Sequence, residues 1–402
     1  MLHLLHRSVW WRFSIWPILI LLMALCSTYA EEGSKAAASG RLGSVAQGLP
    51  TVRLRAAAPL KFPGGYRREN SSKPLQHFLA DCNSPSFWSG DTLYIMNSQA
   101  VVWRSAGPDV FHLTRGAAVD YDNQDLKKLW VWIESTFRDD DGTVYAWIHN
   151  EQRFKCQQGA NPLSGYPAVV RIGALRSKDN GANWHDLGFV MEPSPASIRC
   201  DTEDWWYAGG EGDFFVMADA KKEYFYFYFA NYPRTFAEQG ICVARMRYAD
   251  RDNPRGKVWI WHQGQWKEPG LGGHATPIFP ATIDITRKNG ATFWGPSIHW
   301  NTYLKEYVMV LNRIKDTTWA TEGLYISFNH DISDLNGWSP PQKIMDREEA
   351  TRVDPQKPGW GYYVQVMGTA KGETDKLAGR VARLFVDGQS RWEIEFQGPG
   401  EK

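Results

Sequence analysis

The sequence lacks most of the features that announce a familiar class of protein. Its 45 basic and 44 acidic residues leave a formal charge of only +1, with no Lys/Arg stripe. A nucleic-acid binder would show a basic face, so that partner has no electrostatic support. Cysteine is scarce, at five residues, and no CxxC or Cys/His spacing of a zinc site occurs, so no metal ligands are assigned. Convincing helical periodicity is missing, which argues against a fold built on helices. The one apolar run, over 15–26, is too short for a membrane span.

That run does have a recognisable setting. Arg7 and Arg12 precede it, and Ser27-Thr-Tyr-Ala30 supplies small residues before Glu31 and Glu32. Charged, apolar and small residues in that order predict a signal peptide over 1–30, a secreted or periplasmic protein, and no membrane partner after cleavage. Residues 31–74, opening with an Ala-, Gly-, Ser- and Arg-rich stretch, read as a flexible leader. Removing the signal leaves Cys82, Cys156, Cys200 and Cys242, an even count that allows three disulfide connectivities. Cys156 and Cys200 both lie in loop-like sequence around one repeat, which favours that pair.

What the chain has in plenty is aromatic residues: 20 Trp, 17 Tyr and 19 Phe. Most of them should fill a core, but indole rings also stack on sugar faces and give a carbohydrate partner some weight. Strand-like segments separated by Gly, Pro, Asn and Asp run from 75 to 396, before a short tail at 397–402. Five of them share one plan, an opening segment, a turn and a strongly aromatic strand. The openings are Asp81-Cys-Asn-Ser-Pro-Ser-Phe-Trp88, Ile133-Glu-Ser-Thr-Phe137, Glu211-Gly-Asp-Phe-Phe-Val216, Gly295-Pro-Ser-Ile-His-Trp300 and Gly361-Tyr-Tyr-Val-Gln365. A unit recurring every 50 to 85 residues or so marks an array or propeller. We therefore expect an all-β, five-bladed β-propeller over 75–396; a β-sandwich accounts less well for the recurrence. Runs such as Tyr224-Phe-Tyr-Phe-Tyr-Phe229 fit strands buried on both faces. Ser177-Lys-Asp-Asn-Gly-Ala-Asn-Trp184 fits the Ser-x-Asp-x-Gly-x-x-Trp turn of sialidase-like propellers, a structural device, so Asp179 is given no chemistry.

A propeller gathers the starts of its innermost strands around one axis, so acids distant in sequence can meet there. Side chains alternate along a strand. Alternation puts Glu211 with Asp213, Asp81 with Asn83, and Ser297 with His299 and Asn301. In the same way Tyr145, Trp147, His149 and Glu151 share one face, and Val144, Ala146 and Ile148 the other. Close carboxylates raise one another's pKa, which a general acid requires. Trp88, Trp132 and Trp300 adjoin these openings, more readily as core than as sugar platforms.

On Asp81-Cys-Asn-Ser-Pro85, Tyr145-Ala-Trp-Ile-His-Asn-Glu151, Gly210-Glu-Gly-Asp-Phe214, Gly295-Pro-Ser-Ile-His299, Val243-Ala-Arg245, Glu268-Pro-Gly-Leu-Gly-Gly273 and Gly323-Leu-Tyr-Ile-Ser327, the chain resembles the five-bladed propeller glycosidases. These are the broad group of glycoside hydrolase families 43, 32, 62, 68 and 117, and no single one of them is singled out. The resemblance implies hydrolysis of a polysaccharide or oligosaccharide. Asp81 would be general base or nucleophile, and Glu134 the second acid, where the families usually have Asp. Glu211, with Asp213 beside it, and Glu151 compete as general acid. Asn83, Trp88, His149, His299 and Trp300 would bind the sugar. No cofactor is expected from the residues themselves; the resemblance leaves room for a calcium ion at the axis, which His299 could reach through water. A propeller that binds carbohydrate without cleaving it is the alternative, and a scaffold with no sugar ligand a third. A sialidase reading is weaker, because the sequence offers no convincing set of three arginines to clamp a sugar carboxylate and only one good Asp-box.

Overall fold

The computed structural model describes residues 48–63, 80–98, 101–152, 156, 167–232, 234–355 and 358–401. The expected signal peptide and the first part of the leader lie outside the described residues. The leader expectation is corrected where it can be followed, because Thr51–Lys61 is a strand paired antiparallel with Gln389–Gln397. Val52 and Leu54 pack against apolar core while Arg53 and Arg55 face outward. That period-two pattern was present in the sequence but masked by the Ala- and Arg-rich composition around it.

The described chain is almost entirely strands and loops, arranged as a β-propeller. A first antiparallel meander runs Ser86–Ser89, Thr92–Ser98 and Val102–Gly107. A second runs Trp130–Arg138, Val144–Gln152, Ala168–Ser177 and Asn183–Met191. A third runs Tyr207–Ala218, Tyr224–Tyr232, Gly240–Arg247, Val258–His262 and Gln265–Pro269. Short parallel pairing of 207–210 with 168–170 hydrogen-bonds it to the second. A fourth runs Phe293–Asn301, Glu306–Ile314, Thr321–Asn329 and Gln342–Asp346. The last, Gln365–Met367, Val381–Val386 and Gln389–Gln397, is completed by Thr51–Lys61 from the other end of the chain.

Apolar layers fill the spaces between neighbours. Phe87 and Met96 of the first meander meet Val144, Ala146 and Ile148 of the second. Tyr145 and Trp147, on the other face of that strand, meet Phe225, Phe227 and Phe229 of the third. Tyr226 and Tyr228 face the opposite way, toward Ile298 and Met309 of the fourth. Val308 and Val310 then meet Val366 and Leu384 of the last, whose Met367 and Phe385 return to Leu93 and Ile95 of the first. A strand between two such layers has no polar face, which is why 224–229 is aromatic throughout. Each fully buried ring of this kind contributes roughly 1.5–3 kcal/mol.

Cys156 and Cys200 form a disulfide, as expected, and Cys82 and Cys242 are free and buried. The turn at 177–184 is held by Asp179, whose Oδ1 accepts the N–H groups of Ala182 and Asn183, while Trp184 is buried beneath it. Asn180 and Gly181 there take φ of +56° and +78°, the left-handed region a tight turn uses. Among the described residues no helix is long and apolar enough to cross a membrane.

Candidate active site

A cavity of about 280 Å³ opens where segments of the meanders converge. Four carboxyl groups line it: Asp81 from the segment before the first meander's strands, Glu134 and Glu151 from the second, and Asp387 from the turn between the last two strands of the chain. His149 lies among them, and no Lys or Arg is found among the described lining residues. The rest of the wall is aromatic, with six Trp (130, 132, 206, 294, 319, 360) and three Tyr (207, 362, 363).

Bulges set the geometry behind this wall. Pairing slips by a residue between Ile133 and Ser135, between Gly212 and Phe214, and between Trp294 and Ser297. A bulge leaves one residue unpaired and re-aims its side chain. In the second meander that residue is Glu134, whose Oε2 accepts the Phe214 N–H at 2.7 Å and whose Oε1 lies 3.2 Å from His149 Nδ1. In the third it is Asp213, at φ +40°, a left-handed conformation that Asp tolerates better than most residues. Its carboxyl accepts the hydroxyls of Tyr207 at 3.1 Å and Tyr363 at 3.0 Å, and that of Tyr232.

His149 Nδ1 faces two partners with opposite demands. Unprotonated, it accepts the Asp213 N–H at 3.2 Å; protonated, it donates to Glu134. On the ring's other side, Nε2 is 3.8 Å from Glu151 Oε1. Burial opposes a charge on this imidazole, but the hydrogen bonds to Glu134 and Glu151 outweigh it and hold the pKa well above its usual value. Burial pushes Glu134 up to about 7 against the opposite pull of His149. Asp81 is exposed to the cavity it lines but enclosed by protein elsewhere. That enclosure first, then the charges of Glu151 and Asp213, push its carboxyl up to about 8.

The aromatic wall has its own anchor. Buried Asp204 accepts the backbone N–H groups of Trp206 and Tyr207 at 2.7 and 2.8 Å and the Trp319 indole N–H at 2.8 Å. One carboxyl thus orients three lining rings, and burial raises its pKa to about 7. Trp130 and Trp360 stay largely exposed at the cavity, Trp360 stacked on Tyr362.

The structure therefore brings together Asp81, Glu134, Glu151 and His149, with Asp213 directly behind them, and corrects the remaining expectations. Glu211 is fully buried against Arg234, which also donates to Asn231 Oδ1 at 3.1 Å, and it does not line the cavity. The bulge at Asp213 breaks the alternation that would have kept the two acids together. Asn83 is buried and donates to the Pro296 carbonyl at 3.0 Å. Trp88 donates to the Glu373 carbonyl at 2.7 Å, away from the cavity lining. Trp300 packs on Tyr307 in the layer between third and fourth meanders. His299 is buried against Phe396, in the layer between the fourth and last meanders, and burial lowers its pKa to about 3.

The metal-capable cluster among the described residues is Glu134, His149 and Asp213, with ligand atoms within 4.8 Å of one another. Calcium takes six to eight oxygens. Here one donor is a nitrogen, and the carboxylates already accept the Phe214 N–H and three phenols. That donor set does not suit calcium. Asp387, Asp204 and the aromatics other than Trp132 were missed from the sequence. Asp387 sits in a Val-Asp-Gly turn that carries no chemical motif, and the exposed Trp130 and Trp360 have none around them.

No family model matches the chain, and no curated protein matches it. Solved structures do. An exo-beta-1,3-galactanase of Phanerochaete chrysosporium, solved with beta-1,3-galactotriose, aligns over 85% of this chain and 63% of its own, at 12% identity and a TM-score of 0.45. An exo-beta-1,3-galactanase of Clostridium thermocellum aligns over 84% and 62%, at 10% identity and a TM-score of 0.46. The endo-arabinase of Bacteroides thetaiotaomicron aligns over 81% and 96%, at 10% identity and a TM-score of 0.42. The chain spans less than two thirds of the length of these two galactanases. The propeller arrangement itself rests on the strand pairings and interleaved apolar layers of this chain.

Proposed function

We propose that the chain is a five-bladed propeller glycoside hydrolase acting on a polysaccharide or oligosaccharide, with Asp81 and Glu151 as its acid–base pair. The observation that carries the reading is the cavity, where carboxyl groups from the second meander, the last meander and the segment before the first face a space walled by indoles and phenols. Such a site is apolar enough to stack a sugar ring and polar enough to orient it.

Glycoside hydrolysis needs one carboxyl that holds a proton and one that does not. Asp81, pushed up to about 8, holds its proton at neutral pH and suits protonation of the leaving oxygen. Glu151, with His149 Nε2 beside it, suits activation of the attacking water. This assignment exchanges the role that the family resemblance implied for Asp81. Glu134 and His149 form the supporting pair behind Glu151, and Asp213 braces His149 through its backbone N–H.

The test is reducing-sugar release from a panel of polysaccharides and aryl glycosides. On an active substrate, Asp81→Asn should retain turnover of aryl glycosides with good leaving groups, which need no acid. Glu151→Gln should lose both activities and regain some with azide. Azide rescue of Asp81→Asn in place of Glu151→Gln would restore the other assignment. Tight glycan binding with no release on any substrate would favour a non-catalytic carbohydrate-binding propeller. The confinement of Glu211 beside Arg234 gives that second reading its support.

Export is part of the same proposal. The residue order at 7–32 supports it, as does the Cys156–Cys200 disulfide, a bond usual in oxidising compartments. A mature N-terminus near residue 31, measured by mass spectrometry of secreted protein, would bear it out; retention of the full chain in the cytosol would overturn it.

A further inference from the structure

The last hairpin of the chain turns through Asp387-Gly388, with Val386 paired to Gln389. Both turn residues have positive φ, +53° and +70°, the two-residue turn that favours Asp-Gly. Such tips normally lie at the surface. This one is buried, Asp387 being 1% exposed, and it forms part of the cavity wall.

The turn holds both flanks of the site. On one side, Asp387 Oδ2 accepts the Gly361 N–H at 2.9 Å and Oδ1 the Tyr362 N–H at 3.0 Å, while its own N–H donates to the Tyr362 carbonyl at 2.8 Å. That clamps 360–363, which carries three rings of the wall. On the other side, the Asp387 carbonyl accepts the Ala80 N–H at 3.2 Å, immediately before Asp81. Gly388 is close to the same residue: a Cβ added there would lie 2.7 Å from Ala80 Cβ. The charged groups that act on Asp81 are Glu151 and His149 from one strand, Asp213 from the third meander, and Asp387. Of these, Asp387 alone is also joined to the Asp81 segment through the backbone.

We propose that Asp387 is a positioning residue of this site: its turn sets Asp81 and the aromatic wall in register, and its negative field acts on Asp81. The catalytic consequence rests on the glycosidase reading; the electrostatic one does not. Burial pushes Asp387 itself up to about 7, so its field on Asp81 grows as pH rises through neutrality.

The direct experiment is a 13C-carboxyl NMR titration of aspartate-labelled full-length protein, with Asp81→Asn to assign the resonance. Asp387→Asn keeps one acceptor and removes the charge. It should lower the Asp81 midpoint, and on a hydrolysed glycan it should move the alkaline limb of kcat/KM to lower pH. An unchanged midpoint and limb with a lowered Tm would reduce Asp387 to a structural clamp and overturn the proposal. If Asp387→Asn does not fold, Gly388→Ala keeps the charge and displaces Ala80. It should then lower kcat without moving the pH limb, and an unaltered kcat overturns the positioning role. A wild type inactive on every glycan would sink the glycosidase reading and leave the titration to judge this one.

Discussion

Two strands of adjoining meanders treat the same rule differently. Along Val144–Gln152 alternation is unbroken: Tyr145 and Trp147 enter the layer toward the third meander, Val144, Ala146 and Ile148 the layer toward the first, and His149 and Glu151 reach the cavity. Along Tyr207–Ala218 it fails. The bulge between Gly212 and Phe214 inserts Asp213 out of register, so Glu211 ends beside Arg234 and Asp213 beneath three phenols. A regular strand keeps a pair of residues two apart on one face; a single unpaired residue sends them to different environments. Of these two strands, the regular one is the one whose acid lines the cavity.

Exchanging the charges on the two strands should separate them most sharply. Glu151→Gln should lower turnover by about 10² to 10⁴, the usual cost of losing a general base, at nearly unchanged Tm. Glu211→Gln should do the reverse. It removes the nearer of two carboxylate partners of the buried Arg234 and leaves Glu238 at 3.9 Å, a loss of up to about 3 kcal/mol, with turnover per folded molecule preserved. Kinetics and denaturant unfolding on the same two samples decide it, and an inactive but stable Glu211→Gln would break the comparison.

The Cys156–Cys200 disulfide links the segment after Glu151 to the one before Tyr207, and so ties the regular strand to the bulged one across a separation of 44 residues. Loop-closure entropy for that length corresponds to about 4 kcal/mol. Replacing both cysteines with serine should therefore cost several kcal/mol in urea unfolding, and an unchanged midpoint would show that packing alone holds the two strands together.

Gly212 marks the bulge itself. A Cβ there would lie 2.4 Å from Val170 Cγ1 and 2.8 Å from His149 Cε1. Gly212→Ala should cost about 1–3 kcal/mol through overpacking and displace His149, altering the pH profile of turnover as well as stability. An altered Tm with an unaltered profile would mean that His149 is not part of the machinery.

The smallest effect expected is in stability against pH. Asp81, Glu134, Asp204 and Asp387 have folded pKa values raised to about 8, 7, 7 and 7. An acid with a raised folded pKa binds more protons folded than unfolded, so its contribution falls as pH rises from near 4 to the folded value. His149, raised well above its ordinary value, likewise loses its contribution at higher pH, as pH climbs through that folded pKa. Tm should fall between about pH 4 and pH 8, and Asp81→Asn should flatten that slope. A Tm rising over the same window would contradict the enclosure of these groups.

Much of the scaffold was legible in the residues. The aromatic repeats, the Gly/Asp/Asn turns and the two-faced strand at 224–229 describe local periodicity, which depends on neighbours in sequence alone. The split of Val144–Gln152 between two layers and the Cys156–Cys200 pair followed from the same local reading. Thr51–Lys61 was missed because an outer strand buries little and its composition resembled a linker. Asn83, Trp88, His299 and Trp300 were misplaced because adjacency to a motif does not say which side of a strand meets the cavity.

The sequence by itself determined that this is an all-β chain with repeated, doubly buried strands, and that Asp81, Glu134, His149 and Glu151 were worth attention. Only the tertiary structure decided that Glu211 leaves the site and that Asp387, some 300 residues from Asp81, enters it. The physical reason is that local periodicity carries no information about an inserted residue or about ring closure. A bulge reverses every face beyond it, and the first and last segments of the propeller become neighbours only when the apolar layers between all the meanders have closed the ring.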